Sequence, residues 1–212
     1  MIKLKSNSTE RKASMTDYER ITQIAIQNNN VFKTKMITAE GIRKEKIKDL
    51  LEAGIIERIG YGIYVLGRED IDEYYEFQQK CSKGVFSYGT SAYFWNLSDR
   101  VPNVLSCTVP RGYNTSRLNI NTKVRYHYIL KNLYDIGITE TKSPQGASII
   151  LYDRERTICD LVRDRKKVDM QLFSTALNLY FKGREKNIRK LMKYGKEFHI
   201  TEELEKYMEV LQ

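Results

Sequence analysis

Arg43-Lys44-Glu45-Lys46-Ile47-Lys48-Asp49-Leu50-Leu51-Glu52-Ala53-Gly54 runs without a break into Ile55-Ile56-Glu57-Arg58-Ile59-Gly60-Tyr61-Gly62-Ile63-Tyr64-Val65-Leu66. In the first half Ile47, Leu50 and Leu51 recur at i, i+3 and i+4, so one side of a helix is apolar, and Gly54 supplies its stop. In the second half two β-rich runs, 55–59 and 63–66, flank the turn Gly60-Tyr61-Gly62, which is the pattern of a hairpin. The helix is split by charge. Arg43, Lys44, Lys46 and Lys48 occupy its start and outer faces, and Glu45 is the one acid among residues 43–48.

Upstream, Thr34 to Ala39 reads as a short helix that Gly41 breaks. A further helix starts at Thr16, where Thr16-Asp17-Tyr18-Glu19 has the S/T-x-x-E form of a capping box. Ile21, Ile24 and Ala25 continue it on one face, and Asn28-Asn29-Asn30 ends it. Three helices and a hairpin over residues 16–66 give the order of a winged helix-turn-helix. The recognition helix is then expected to begin near Arg43.

The flanks differ in texture. Residues 1–15 are polar and aperiodic, the pattern of a basic arm, and residues 67–80 set Ile71, Tyr74, Tyr75 and Phe77 among acids, as in a linker helix. From residue 81 the pattern turns mixed. A helix is expected within 87–97, strands over 104–110, 123–129 and 147–152, a helix over 154–163, and two or three helices from Met170 to Gln212. The expected fold class is α+β. A basic arm (1–15) leads into a winged helix-turn-helix with its linker helix (16–80), then a mixed α/β domain ending in helices (81–212).

In a helix-turn-helix the early residues of the recognition helix meet base edges while its rear packs on the other helices. Cations there are unfavourable at the positive end of the helix dipole, and an anionic partner relieves that strain. Double-stranded DNA is therefore the expected partner. Arg43 is the first choice for base reading, since guanidinium binds guanine in bidentate fashion. Lys44, Lys46 and Lys48 are cast as phosphate or mixed contacts, with Lys33, Thr34 and Lys35 gripping the backbone across the groove. Two readings stand for Tyr61 at the wing tip, a groove contact or a surface tyrosine in a tight turn. Lys3, Lys5, Arg11 and Lys12 either enter a minor groove or form a solvated tail. A second basic surface is expected at Lys186, Arg189, Lys190 and Lys193.

The bulk numbers agree with a polyanionic partner. The 212 residues hold 36 Lys and Arg against 27 Asp and Glu, a formal charge of +9. Cys81, Cys107 and Cys159 form no CxxC pair and argue against a disulfide framework or zinc ribbon, so a reducing cytoplasm is expected. The N-terminus lacks the apolar core of a signal peptide, and no apolar run is long enough to span a bilayer.

Catalysis has weaker support. There is no G-x-x-x-x-G-K-[ST], G-x-S-x-G or H-E-x-x-H, and neither His127 nor His199 has a partner at metal spacing. His127 reads as a structural or exposed residue in an alternating strand, and Thr90 or Ser91 as a helix cap. Asp153, Glu155 and Asp160 raise the alternative of a metal-dependent nuclease or nucleotidyl-handling enzyme. Local ion pairs, Glu155 with Arg156 and Asp160 with Arg163, with Asp160 on a helix surface, are the competing reading. A protein-binding adaptor is the third. No cofactor, metal or catalytic residue is expected.

Gly54-Ile55-Ile56-Glu57-Arg58-Ile59 followed by Gly62-Ile63-Tyr64 resembles the end of the winged helix in AbiEi-type antitoxins. Ser91-Ala92-Tyr93 with Leu97, Val109-Pro110, Tyr126-His127 and Glu155-Arg156-Thr157-Ile158-Cys159-Asp160 extend the resemblance over most of residues 16–180. Ile42-Arg43-Lys44 stands where many helix-turn-helix proteins place a Ser or Thr cap. The resemblance implies an antitoxin and transcriptional autorepressor of an AbiE abortive-infection operon against phage. Its N-terminal domain would repress the shared promoter, and its C-terminal domain would neutralise a nucleotidyltransferase-like toxin without a direct complex.

Overall fold

A computed structural model describes residues 15–67 and 72–211. The expected arm therefore lies, apart from Met15, outside the described residues, as does Ile71. The chain divides into two compact units, 1–80 with 143–147, and 81–142 with 148–212. Helices and two sheets make the fold α+β.

The first unit opens with α1 (Asp17–Gln27). Its capping box is in place: Glu19 N donates to Thr16 Oγ1 at 3.2 Å, and Thr16 N donates to Glu19 Oε2 at 2.7 Å. Asn29 and Asn30 follow at φ 55° and 61°, left-handed backbone that asparagine tolerates and that turns the chain. The chain then forms β1 (Val31–Lys33), a strand the sequence reading did not anticipate. After it come α2 (Thr34–Ala39), α3 (Glu45–Glu52), β2 (Ile56–Gly60) and β3 (Ile63–Leu66). The sheet order is β1-β3-β2, all antiparallel, with Val31 opposite Val65 and Ile56 opposite Leu66.

The stripes read from the sequence face the core, with Ile24 and Leu51 partly buried at its edge. Ile21, Ala25, Ile37, Ile47 and Leu50 join Phe32 and Ile56 in one core, where Phe32 stacks on Tyr64 with ring centroids 5.5 Å apart. α4 (Glu73–Lys80) is capped by Asp72, whose Oδ1 accepts from Tyr74 N and Tyr75 N at 3.1 Å each. The other oxygen of this buried carboxylate accepts from Ser143 Oγ.

The second unit is built on a five-stranded sheet of order β6-β5-β4-β8-β7. Its strands are β4 (Val85–Phe86), β5 (Leu105–Pro110), β6 (Val124–Ile129), β7 (Ile138–Lys142) and β8 (Ser148–Tyr152). β4 pairs antiparallel with β5 and parallel with β8, and β5 pairs parallel with β6. α5 (Tyr88–Phe94) and α6 (Lys131–Tyr134) lie between strands. After β8 come α7 (Arg154–Arg163), a 3-10 turn (Arg165–Lys167), α8 (Met170–Lys182), α9 (Ile188–Glu197) and α10 (Thr201–Leu211). Ile158, Leu161, Ala176, Leu177, Leu191 and Leu204 pack these helices into one core. α9 and α10 meet closely at Gly195, where an added Cβ would lie 2.6 Å from Leu204 Cδ1. The three cysteines are buried and unpaired.

Two local expectations are corrected. Thr90 and Ser91 are not caps: α5 begins directly after Ser87, so both sit within the helix. Thr90 Oγ1 instead accepts from Ser106 N at 2.8 Å, tying the helix to β5, and Ser91 Oγ donates to Tyr88 O at 3.1 Å. Asp160 is not on a helix surface. It is fully buried, because two arginines of its own helix compensate its charge.

Candidate nucleic-acid interface

The front of α3 is built differently from the sequence expectation. The helix begins at Glu45, with Lys44 as an N-cap that makes no side-chain bond. Arg43 and Lys44 lie just ahead of it, where their carbonyls accept from Lys46 N at 3.1 Å and Ile47 N at 3.0 Å. With no Ser or Thr available as a cap, this tight turn satisfies the first amides, and Glu45 places a negative charge at the positive end of the dipole. Arg43 and Lys44 thus ride on a turn leading into the helix, while Lys46 and Lys48 lie within it.

Their state varies. Arg43, Lys44, Lys46 and Lys48 are all exposed. Lys46 Nζ pairs with Asp49 Oδ2 at 3.2 Å, and Lys48 Nζ with Glu52 Oε1 at 3.5 Å. Such solvated pairs hold a side chain weakly, so both lysines can exchange a carboxylate for another anion at small cost. Ile47 and Leu50, on the opposite side, anchor the helix in the core.

At the start of α2 the three expected residues have separate roles. Lys35 is exposed. Lys33 is half-buried, and burial, then the neighbouring Lys35, hold its ammonium below the usual lysine range. Thr34 faces the hairpin turn: its N donates to Gly62 O at 2.9 Å, and its hydroxyl approaches the same oxygen at 3.5 Å. The amide of Thr34 is therefore committed to the turn.

Tyr61 stands at the tip of that turn and is 95% exposed. Gly62 beside it has φ +64°, the left-handed conformation that lets the strand reverse. Arg58, which the sequence reading did not single out, reaches this tip. Its guanidinium carbon lies 5.8 Å from the Tyr61 ring centroid, and its Nε donates to Gly60 O at 3.2 Å. Strict alternation would hide Arg58 on the face of Ile56, but β2 shifts register between Arg58 and Gly60, so Ile56 and Ile59 are buried while Glu57 and Arg58 are both exposed.

Residues 19–67 match a family model described as a transcriptional regulator, AbiEi antitoxin. That segment is similar to the AbiEi antitoxin family. No curated protein matches the chain. The matched segment holds Lys33, Thr34, Lys35, Arg43, Lys44, Lys46, Lys48 and Tyr61.

Lys186, Arg189, Lys190 and Lys193 lie beyond the matched segment and are not equivalent. Arg189 and Lys193 are exposed, and Lys186 Nζ turns back to Phe181 O. Lys190, half-buried, is held by ion pairs 2.9 Å from Asp153 Oδ2 and 3.3 Å from Glu155 Oε2, and these carboxylates help to raise its basicity against its burial. The acids weighed for metal chemistry are the other half of that arrangement. Asp153 also accepts from Tyr194 Oη at 3.0 Å, and Glu155 from Tyr180 Oη at 3.2 Å. Glu155 thus pairs with Lys190 rather than with Arg156. Among the described residues no three His, Cys, Asp or Glu side chains gather into a metal-binding group, and no helix is long and apolar enough to cross a membrane.

Proposed function

We propose that this chain is a DNA-binding transcriptional repressor and antitoxin whose first unit acts as a winged helix-turn-helix. Arg43 and Lys44 lead the recognition helix into the major groove, Lys46 and Lys48 extend it, Lys33 and Lys35 meet the backbone, and Tyr61 with Arg58 forms the wing contact. One observation carries the reading: the matched regulator segment coincides with a helix-and-hairpin fold whose apolar faces are buried and whose leading cations, Arg43 and Lys44, are exposed and make no ion pair among the described residues. The target is the protein's own promoter in the cytoplasm, read as repeated half-sites. The toxin it restrains is nucleotidyltransferase-like and needs no complex with it, and the second unit serves neutralisation.

The test is fluorescence anisotropy with DNA from upstream of its own gene against a scrambled duplex. Arg43→Ala is expected to weaken specific binding by about 1–3 kcal/mol and to leave nonspecific binding nearly unchanged. Equal affinity of the intact protein for both duplexes would overturn the reading.

A further inference from the structure

A cavity of about 910 Å³ opens in the second unit, a size that suits a small organic ligand. Its floor is the sheet face carrying Ser106 and Thr108 of β5 and, in register beside them, Arg125 and His127 of β6. The end of α7, the 3-10 turn and the first turns of α8 form one wall, and the loop 98–104 forms the other.

The floor is constructed from residues far apart in the chain. Tyr88 holds a left-handed φ of +47°, costly for a bulky side chain and typical of places where strain serves a site. Its ring stacks on His127 at 3.8 Å, its hydroxyl donates to Asp164, and Arg163 Nη2 donates to that hydroxyl at 2.8 Å. His127 Nε2 is buried with no hydrogen-bond partner among the described residues. Burial first, then Arg125, Arg163 and Lys167 against Asp164 alone, depress the basicity of His127 to a pKa of about 4. That imidazole stays neutral near neutral pH while three cations surround it.

The rim has two characters. Val101 is 62% exposed and Val104 39%, and both line the opening, where water meets apolar surface. Arg100 also lines it, and like Arg125 of the floor it is exposed and without an ion pair among the described residues. The acids are mostly engaged. Asp164 is shared by Tyr88, Arg163 and Lys167, and Asp169 caps α8 through Leu172 N at 2.9 Å, which leaves Asp99.

We infer that this cavity is a binding site for a small organic anion, its charged group held at Arg125 and its apolar or aromatic body seated against Val101, Val104 and Leu172. The site is independent of the DNA contacts assigned to the first unit, so either can fail without the other. Ligand binding here gives the second unit an input of its own.

The experiment uses the full chain and 8-anilinonaphthalene-1-sulfonate, an aromatic anion whose fluorescence rises in apolar surroundings. Saturable binding of one probe per chain is expected. Arg125→Glu, a surface change that leaves the core intact, should weaken it at least about tenfold, the loss of one charge-assisted contact. Thr175→Trp, which sets a bulky ring into the cavity beside Leu172, should weaken it further. Binding that is absent, that is unaffected by Arg125→Glu, or that sodium sulfate displaces at matched ionic strength overturns the inference, because then no site reads charge and apolar body together. Promoter affinity measured in parallel should be unchanged in both variants.

Discussion

Arg156 Nε lies 3.1 Å from Asp160 Oδ1, one helical turn away, and neither side chain is exposed. The guanidinium is enclosed on all sides. It packs 3.9 Å from the Tyr152 ring centroid and 4.3 Å from that of Phe198, and its Nη1 donates to Leu133 O at 2.8 Å and Ile136 O at 2.6 Å. One arginine thus gathers β8, α6, the chain ahead of β7 and the end of α9 around the start of α7. Burial pushes the Asp160 carboxyl above the usual range, against the pull of Arg156 and Arg163. Asp160→Leu, which leaves Arg156 buried without its counter-charge, is expected to lower unfolding free energy by about 3–5 kcal/mol in urea titrations. The double variant Arg156→Met, Asp160→Leu should recover part of that loss. A single variant as stable as the parent would mean that the pair does not hold these elements together.

Phosphate contacts are expected to appear in the salt dependence of DNA binding. Lys44→Ala should reduce the slope of log K against log salt by about 0.9, one released counterion, and should weaken specific and nonspecific duplexes alike. Arg43→Ala should instead change the ratio between them. Anisotropy titrations across a salt series separate the two, and an unaltered slope for Lys44→Ala would take that residue off the backbone.

The turn that carries Tyr61 depends on Gly62. At φ +64° a side chain is strained, and a Cβ there would also sit 3.2 Å from Thr34 Oγ1. Gly62→Ala is expected to cost about 1–2 kcal/mol from the left-handed backbone. Thermal unfolding of the intact chain reads this, and a melting temperature equal to the parent's would show that the turn relaxes freely.

Much of the first unit was legible because its signals are local. The Thr16–Glu19 box, the Ile47, Leu50, Leu51 stripe and the Gly60-Tyr61-Gly62 turn each act within a few residues of themselves. β1 was hidden because Val31-Phe32-Lys33 is too short to show alternation and becomes a strand only by pairing with β3. No side-chain cap marks the start of α3, so Arg43 and Lys44 read as helical although both precede Glu45. In the second unit charge patterns misled for a physical reason: Asp160 looks like a surface residue until arginines one turn away allow it to leave water, and Lys190 like a free cation until remote Asp153 and Glu155 pair with it. The cavity could not be read at all, since Tyr88, His127 and Arg163 meet only after the sheet is assembled.

His127 gives the second unit a response to acid. Its folded pKa of about 4 lies below the ordinary value of 6.5, chiefly through burial, with Arg125, Arg163 and Lys167 adding to the depression and Asp164 opposing it. Above pH 6.5 both folded and unfolded imidazoles are neutral. As pH falls from there towards 4 the unfolded state binds the proton first, so stability drops by about 3 kcal/mol across that window from this group. His127→Phe, which keeps a ring against Tyr88, should flatten that part of the stability–pH curve. An identical curve for the variant would assign the acid response elsewhere.

The order of pairing also fixes a sequence of events during synthesis. The three-stranded sheet of the first unit is complete once Leu66 has left the ribosome, because β1, β2 and β3 are near neighbours in the chain. β4, at the middle of the larger sheet, has to wait for Leu151 before its parallel partner exists. A nascent chain can therefore pair its three-stranded sheet while Val85 and Phe86 still lack one neighbour, but the first unit is finished only when residues 143–147 arrive and Ser143 reaches Asp72.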